Sequence, residues 1–226
     1  MVSSNSKLNK TLTWLVCTMG VIVVLGGCFR QSDSPETQAI HAYELGASFQ
    51  KLGGISKAEK AYLNAIALNP QFAEAYAELG FIEHLRGRYE PAMLYLEQAL
   101  SLDPDLAVAY NYRGMIYYEG GASTMALLNF TRAIQIDPTL GEALYNRASV
   151  YLLMDNMESA VDDMSSLIEV RPGVPRYFFE RAQLRALMGN ASGAKMDLEQ
   201  VFTLTDEEEM TLKAKVLLAT IREAEE

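Results

Sequence analysis

Residues 73–106, AEAYAELGFIEHLRGRYEPAMLYLEQALSLDPDL, decide the fold of this chain. Gly87 divides this 34-residue stretch, and Pro104 lies close to its end. The stretch has counterparts on both sides, because prolines recur at the same interval: Pro70, Pro104, Pro138 and Pro172. A fixed period in this size range is the mark of a repeat architecture, in which each repeat is one supersecondary unit.

Four further ladders of residues share the 34-residue period. They are Gly53, Gly87, Gly121, Asp155 and Gly189; Ala58, Ala92, Ala126, Ala160 and Ala194; Gly46, Gly80, Gly114, Ala148 and Ala182; and Tyr62, Leu96, Phe130, Met164 and Leu198. The first ladder suits a left-handed backbone at the end of a helix. Small residues let two helices approach closely, large apolar residues fill the space between units, and the prolines stop a helix.

These ladders resemble the tetratricopeptide repeat, a helix–turn–helix unit of 34 residues. The resemblance implies an all-α fold, namely a right-handed α-solenoid of five helix pairs plus a C-terminal capping helix, with eleven helices and no strands. We expect the solenoid to span residues 37–226, with repeats at 39–72, 73–106, 107–140, 141–174 and 175–208 and a capping helix at 206–225. In the capping helix, Met210, Ala214, Leu217 and Ile221 share one face at helical spacing. Thr205-Asp206-Glu207-Glu208 before it resembles a capping box.

The N-terminal segment has the pattern of a secretory leader. Lys7 and Lys10 precede residues 11–27, which carry no charge. The run ends in Leu25-Gly26-Gly27-Cys28, which resembles a bacterial lipobox. That resemblance implies a signal peptide at 1–27 that is removed, a lipid such as palmitate on Cys28, and a tether at 28–36.

The alternative for this segment is an uncleaved transmembrane anchor with an exported domain. Seventeen uncharged residues are fewer than the about 20 that a membrane-spanning helix needs, so the lipoprotein is favoured. Either reading places the remainder in the bacterial cell envelope. Phe29 stands where many lipoproteins retained at the inner membrane have aspartate, which favours the outer membrane, facing the periplasm, in a host with two membranes.

Composition argues against several functional classes. The formal net charge of −10 does not suit binding to nucleic acid, which needs a basic surface. Two cysteines and two histidines leave little material for metal or acid–base chemistry, and the chain has no zinc-protease, nucleophile-elbow or phosphate-loop motif. We therefore expect no enzyme, no cofactor and no metal site.

The family resemblance also implies a concave groove that is lined by the first helix of each unit. The groove positions of the family map onto one aromatic residue in each unit and two further residues in unit three: Tyr43, Phe81, Tyr118, Tyr145 and Phe179, with Asn111 and Met115. Acidic and basic groove positions nearly balance, which favours an apolar or aromatic-rich partner segment. The alternative is that these aromatic residues only pack the inner wall.

The leading functional hypothesis is a membrane-anchored scaffold or adaptor that binds another envelope protein in this groove. The architecture is similar to that of pilotins, which assist pilus or secretion channels, and to that of cell-wall hydrolase adaptors. One alternative is a structural subunit of an envelope complex that uses its convex face or its cap. An enzyme with a dispersed site ranks last.

A further pattern concerns charges at the 34-residue period. Arg113, Arg147 and Arg181 form one ladder, and a second ladder on the second helices holds Asn129, Asp163 and Asp197. We expect the two ladders to pair between units. The alternative is a basic stripe that binds an acidic ligand.

Overall fold

The computed structural model describes residues 34–225, and all the regular secondary structure in this part of the chain is α-helix. Within residues 34–225, eleven helices follow one another with no strand among them, which confirms the all-α solenoid of five helix pairs and a C-terminal capping helix. The helices are α1 (Pro35–Lys51), α2 (Ile55–Leu68), α3 (Ala73–Leu85), α4 (Tyr89–Leu102), α5 (Ala107–Glu119), α6 (Ser123–Ile136), α7 (Gly141–Leu153), α8 (Met157–Val170), α9 (Pro175–Leu187), α10 (Ala191–Leu204) and α11 (Glu208–Glu223).

The two kinds of turn follow from the glycine and proline ladders. Each turn inside a unit has one residue in the left-handed region: Gly53, Gly87, Gly121, Asp155 and Gly189. The second helices end two residues before Pro70, Pro104, Pro138 and Pro172. The residues before Pro70, Pro104 and Pro138 are extended, as at Asp103 with φ −132°, because the proline ring disfavours helical backbone at that position. The ladders therefore predicted both turn types correctly.

The units pack on their sequence neighbours. Within a unit, the first helix lies against the second, and each second helix lies against the first helix of the next unit. First helices also touch one another along the inner wall, as α3 with α5 and α5 with α7. The buried core is divided accordingly into several small clusters rather than gathered in one centre.

Two ends of the array differ from the sequence-based expectation. α1 begins at Pro35, because Ser34 accepts a hydrogen bond from the Thr37 backbone N–H at 3.2 Å and proline suits the first helical position. Residues 35 and 36, which the sequence analysis placed in the tether, are therefore helical. At the other end, the predicted capping box was wrong: α11 begins at Glu208 with no side-chain cap, and Thr205 instead accepts from the Glu207 backbone N–H at 3.1 Å.

The arginine ladder pairs inside units, so the predicted pairing between units was wrong. Arg147 donates to both carboxylate oxygens of Asp163 at 2.6 and 2.9 Å, and both residues belong to unit four. Arg147 also reaches the preceding unit, because another of its N–H groups donates to the hydroxyl of Thr131 in unit three at 3.3 Å. Arg181 repeats this arrangement with Asp197, while Arg113 donates to the amide oxygen of Asn129 at 2.7 Å.

None of the helices in residues 34–225 is both long enough and apolar enough to span a membrane. The predicted leader at 1–27, the predicted lipidation site Cys28 and the uncharged run at 11–27 lie outside the described residues.

Candidate partner-binding groove

A cleft of about 470 Å³ opens on the inner wall, where first helices of units two to five come together. Its lining residues come from α3, α5, α7 and α9 and from the link between α8 and α9. They are Phe81, Asn111, Tyr112, Met115, Gly141, Glu142, Tyr145, Asn146, Arg171, Arg176 and Tyr177. Four of the seven predicted groove residues are in this set, namely Phe81, Asn111, Met115 and Tyr145.

Aromatic rings form part of the cleft wall. The ring of Phe81 stacks on that of Tyr112, with centroids 4.5 Å apart and planes 19° from parallel. The Tyr112 hydroxyl donates to Glu78 at 3.1 Å, which fixes the orientation of its ring. On the far side, Tyr145 and Tyr177 lie 6.4 Å apart in a tilted arrangement. The wall thus offers flat apolar surfaces with polar edges.

A pair of side-chain amides lies between these rings. Asn146 donates through Nδ2 to Oδ1 of Asn111 at 3.0 Å, which joins units three and four. Asn111 is buried, and Asn146 is half-buried. An asparagine side chain offers two donors and one acceptor with two lone pairs, so this pair retains hydrogen-bonding capacity beyond the one bond that it makes internally.

The rim of the cleft carries two arginines, each bound to a carboxylate of the same chain. Arg171 donates to Glu142 at 2.7 Å, and Arg176 donates to Glu180 at 2.6 Å. Hydrogen bonding to these carboxylates raises the pKa of both guanidinium groups. Arg176 also donates to the Tyr145 hydroxyl at 2.8 Å. The charges at the rim are therefore matched, and the cleft is polar without a net charge.

A second, more apolar pocket of about 280 Å³ adjoins the cleft and shares Tyr145 with it. It lies between α7 and α9. Its lining residues are Tyr145, Ala148, Ser149, Leu152, Met164, Glu180, Gln183, Leu184 and Leu187. We call it the leucine pocket, because leucines form its rim and one side.

The other three predicted groove residues lie elsewhere. Tyr43 packs on Tyr62 and Phe72, with ring centroids 5.5 and 5.1 Å apart, and burial raises its pKa to about 12 with help from nearby carboxylates. Phe179 packs against the apolar cluster at the C-terminal cap. Tyr118 is exposed near the end of α5. Tyr43 and Phe179 thus have the positions expected from the alternative hypothesis, in which the aromatic residues only pack the inner wall.

A buried polar network lies beside the cleft in units one to three. The carboxylate of Glu78 accepts from Gln50 at 2.8 Å and from Tyr112 at 3.1 Å, and Tyr62 donates to Gln50 at 3.0 Å. Burial raises the pKa of Glu78, while the two hydrogen bonds oppose that shift. The network links three successive units and holds Tyr112 in the cleft wall.

The structure places His84 inside the packing, where it is buried. Its ring lies 6.1 Å from the rings of Phe81 and Tyr89, and its Nε2 is 3.5 Å from a carboxylate oxygen of Glu119. Its buried Nδ1 has no hydrogen-bond partner. Within residues 34–225, no three histidine, cysteine or carboxylate side chains are grouped as metal ligands.

Sequence reasoning missed several cleft residues, of which Tyr112, Asn146 and Tyr177 are the clearest. The signal for the first two is a further ladder at the same period, which holds Glu78, Tyr112, Asn146 and Glu180. Its members make hydrogen bonds along the inner wall, some with each other and some with the adjacent ladder. Arg171 carries no such signal, since it reaches the cleft from a link between helices.

Comparison with protein families agrees with this architecture. Two family models described as tetratricopeptide repeat match residues 43–107 and 142–173. A comparison with curated proteins gave no significant match.

Several solved structures have a similar fold. The structure of pilF from Pseudomonas aeruginosa is 17% identical, with a TM-score of 0.69, over 83% of this chain and 90% of that one. A thermophilic TPR protein of Thermus thermophilus is 18% identical, with a TM-score of 0.62, over 80% of this chain and 99% of that one. YrrB, described as a TPR protein with an unusual peptide-binding site, is 19% identical, with a TM-score of 0.56, over 78% and 91%.

Ladders, helix pairs and family models agree on one class of protein. Tetratricopeptide-repeat folds are generally non-catalytic scaffolds that bind peptides or proteins. The chain therefore contains tetratricopeptide repeats, which the family models match at 43–107 and 142–173, and its residues 34–225 have the fold of five such helix pairs and a C-terminal capping helix.

Proposed function

We propose that this protein is a membrane-anchored, non-enzymatic scaffold that holds a segment of another cell-envelope protein in its inner-wall groove. The observation that carries the proposal is the cleft itself, in which side chains of four successive units combine aromatic walls, amide groups and matched charges. A concave site with a few convergent polar groups is the usual form of a binding site. The similarity to YrrB, which is described as having a peptide-binding site, supports the same use.

The anchor in this proposal is a lipid on Cys28. A single acyl chain binds a membrane only marginally, whereas the several chains that lipobox processing implies would hold the array stably. We place the protein in the bacterial envelope, on the periplasmic face of the outer membrane where the host has one. Intact-mass analysis of the membrane-extracted protein tests this. A mass that lacks residues 1–27 and includes acyl chains is expected, and a mass that retains 1–27 would support an N-terminal transmembrane anchor instead.

Site-specific photo-crosslinking tests the use of the groove. A photo-reactive amino acid in place of Met115, which lines the cleft, is compared with the same amino acid in place of Met125, which is exposed on α6. We expect a discrete adduct with an envelope protein from position 115 only. Phe81→Ala should remove that adduct, whereas Tyr118→Ala, which alters an aromatic residue outside the cleft, should retain it. Thermal unfolding of both variants serves as the control for folding.

The second candidate is a structural subunit that uses the convex face. The observation that favours it is a pair of exposed leucines at equivalent positions of α4 and α6, Leu94 and Leu128, with 68% and 62% of their surface exposed. An adduct from position 125 together with none from position 115 would support this candidate and contradict the groove proposal.

A further inference from the structure

We infer that the leucine pocket between α7 and α9 takes one aliphatic side chain of an extended, uncharged partner segment whose neighbouring backbone lies in the cleft. This inference rests on the proposed function and specifies the chemistry of the partner. It depends on three properties of the two adjoining sites: the apolar lining of the leucine pocket, the pairing of the charges around it, and the amides in the cleft.

The lining of the leucine pocket suits an aliphatic guest. Ala148, Met164 and Leu184 are buried around it, and Leu152 and Leu187 form its open rim. Leu187 has 72% of its surface exposed, which is a large apolar area for a protein to leave in water. Leu153 and Met188, which follow Leu152 and Leu187 in the sequence, are exposed as well. Clustered exposed hydrophobic residues of this kind mark interaction sites, whereas single ones do not.

The charges around the pocket exclude a charged guest. Glu180 is the one charged residue of its lining, and Arg176 already neutralises it at 2.6 Å. Arg171 on the adjoining rim is likewise paired with Glu142. A charged side chain would enter an apolar pocket whose one carboxylate already has an arginine partner, and burial of a charge without a partner is costly. An uncharged guest needs no such partner and leaves the pairs intact, so the matched charges of the site favour it.

The amides of the cleft indicate that the guest is extended rather than helical. Asn111 and Asn146 stand beside Tyr145, the residue that the cleft and the leucine pocket share. Asn146 uses one N–H towards Asn111, and within residues 34–225 its Oδ1 accepts no hydrogen bond. An extended segment presents unpaired backbone N–H and C=O groups that such amides can satisfy, whereas a helix pairs those groups internally. The backbone would thus lie across the amide pair, with one side chain directed into the leucine pocket.

A displayed library of random nonapeptides, selected on the full-length protein in detergent micelles, tests this inference. We expect the selected peptides to share one position that holds leucine, isoleucine, valine or methionine, without charged residues beside it. A synthetic peptide of that consensus should bind Leu187→Ser at least tenfold more weakly than the parent. It should bind Leu94→Ser, a matched change of a similarly exposed leucine on α4, within twofold of the parent.

A second variant guards against a folding artefact. Ser149→Phe fills the leucine pocket from one side, and thermal unfolding shows whether each variant keeps its fold. Loss of binding in Ser149→Phe with an unchanged melting temperature supports the inference. A charged consensus, an amphipathic helical consensus, equal weakening by Leu187→Ser and Leu94→Ser, or no enrichment would each overturn it. In those cases an adduct from position 115 would still leave the proposed function standing.

Discussion

At the scale of single residues, the helix pairs are held together by a match between one small and one large side chain. A Cβ atom built on Gly114 would lie only 2.6 Å from the ring of Phe130 on the partner helix. Unit four has Ala148 opposite Met164 instead, and both of these residues are buried. The flexible side chain of Met164 therefore leaves room for an alanine on the facing helix, whereas the rigid ring of Phe130 leaves room only for a glycine.

This match predicts the effect of Gly114→Ala. In a helix, alanine is favoured over glycine by about 1 kcal/mol, yet overpacking a core costs about 1–3 kcal/mol. We expect the clash to dominate, with a loss of about 1–2 kcal/mol in the free energy of unfolding measured by urea denaturation. In a Phe130→Met background, which copies unit four, the same change should be neutral or stabilising. An equal loss in both backgrounds would contradict the explanation.

A second prediction at this scale concerns Glu78 and pH. Because burial raises its pKa in the folded state, the folded chain binds a proton more tightly than the unfolded chain. The stability from this group is therefore fully present below the ordinary value of 4.5 and is lost as pH rises through the folded-state pKa. Glu78→Gln, which stays neutral, should equal the parent near pH 4 and exceed it at pH 8 in urea denaturation. Glu74→Gln, on the exposed side of the same helix, is the matched control for loss of a carboxylate.

At the scale of helices, the arginine ladder stabilises the joints between α7, α8 and their neighbours. The guanidinium of Arg147 donates to Asp163 and to Thr131, so that it spans two units. The Asp163 side chain is almost completely buried, so its removal leaves a poorly solvated arginine without its partner. This is the most costly way to break an ion pair.

We therefore expect Asp163→Ala to lower the free energy of unfolding by about 3 kcal/mol. Unit three suggests the matched variant, because it has Asn129 at the position equivalent to Asp163, and Arg113 donates to the neutral amide oxygen of that asparagine. Asp163→Asn should accordingly lose much less than Asp163→Ala. Chemical denaturation of the two variants measures the difference. Unchanged stability in Asp163→Ala would mean that the pair does not support the joint.

The helices and turns could be predicted from the period, but the partners of the ladder residues could not. Asp163 lies 16 residues after Arg147 and 18 residues before Arg181. A 34-residue period contains both spacings, so it does not decide whether the aspartate pairs within its unit or with the next. The structure decides for Arg147, since the second helix folds back on the first within one unit.

At the scale of the whole molecule, the cleft depends on how far each first helix is displaced from the next. The family's groove positions predicted one aromatic groove residue in each unit, yet Phe81 and Tyr145 line the cleft while Tyr43, Tyr118 and Phe179 do not. Tyr43 and Phe179 are close to the ends of the array, where they pack against neighbouring aromatic residues or the cap, and Tyr118 is exposed near the end of α5. Position within a unit is a local property, whereas membership of the cleft is set by the curvature of the array, which no single repeat encodes.

The same unit-by-unit construction predicts how the array loses its cap. Ala214 and Ile221 of α11 complete the cluster that holds Phe178 and Leu198 of unit five, and a solenoid's stability is a sum of repeat and nearest-neighbour terms. Deletion of residues 207–226 exposes that cluster. We expect amide hydrogen exchange to accelerate strongly in α9 and α10 and to remain unchanged in α1 to α4.

The control for this deletion lies on the same helix. Leu212 and Val216 each have 59% of their surface exposed on the outer side of α11, so their replacement by serine should leave the protection of unit five intact. If the deletion instead accelerated exchange equally in all units, the array would unfold as a single cooperative body. The leucine pocket and unit one, at opposite ends of the array, would then unfold in the same transition. If only α9 and α10 respond, α9 loses its order and with it one wall of the pocket, while the polar network around Glu78 persists.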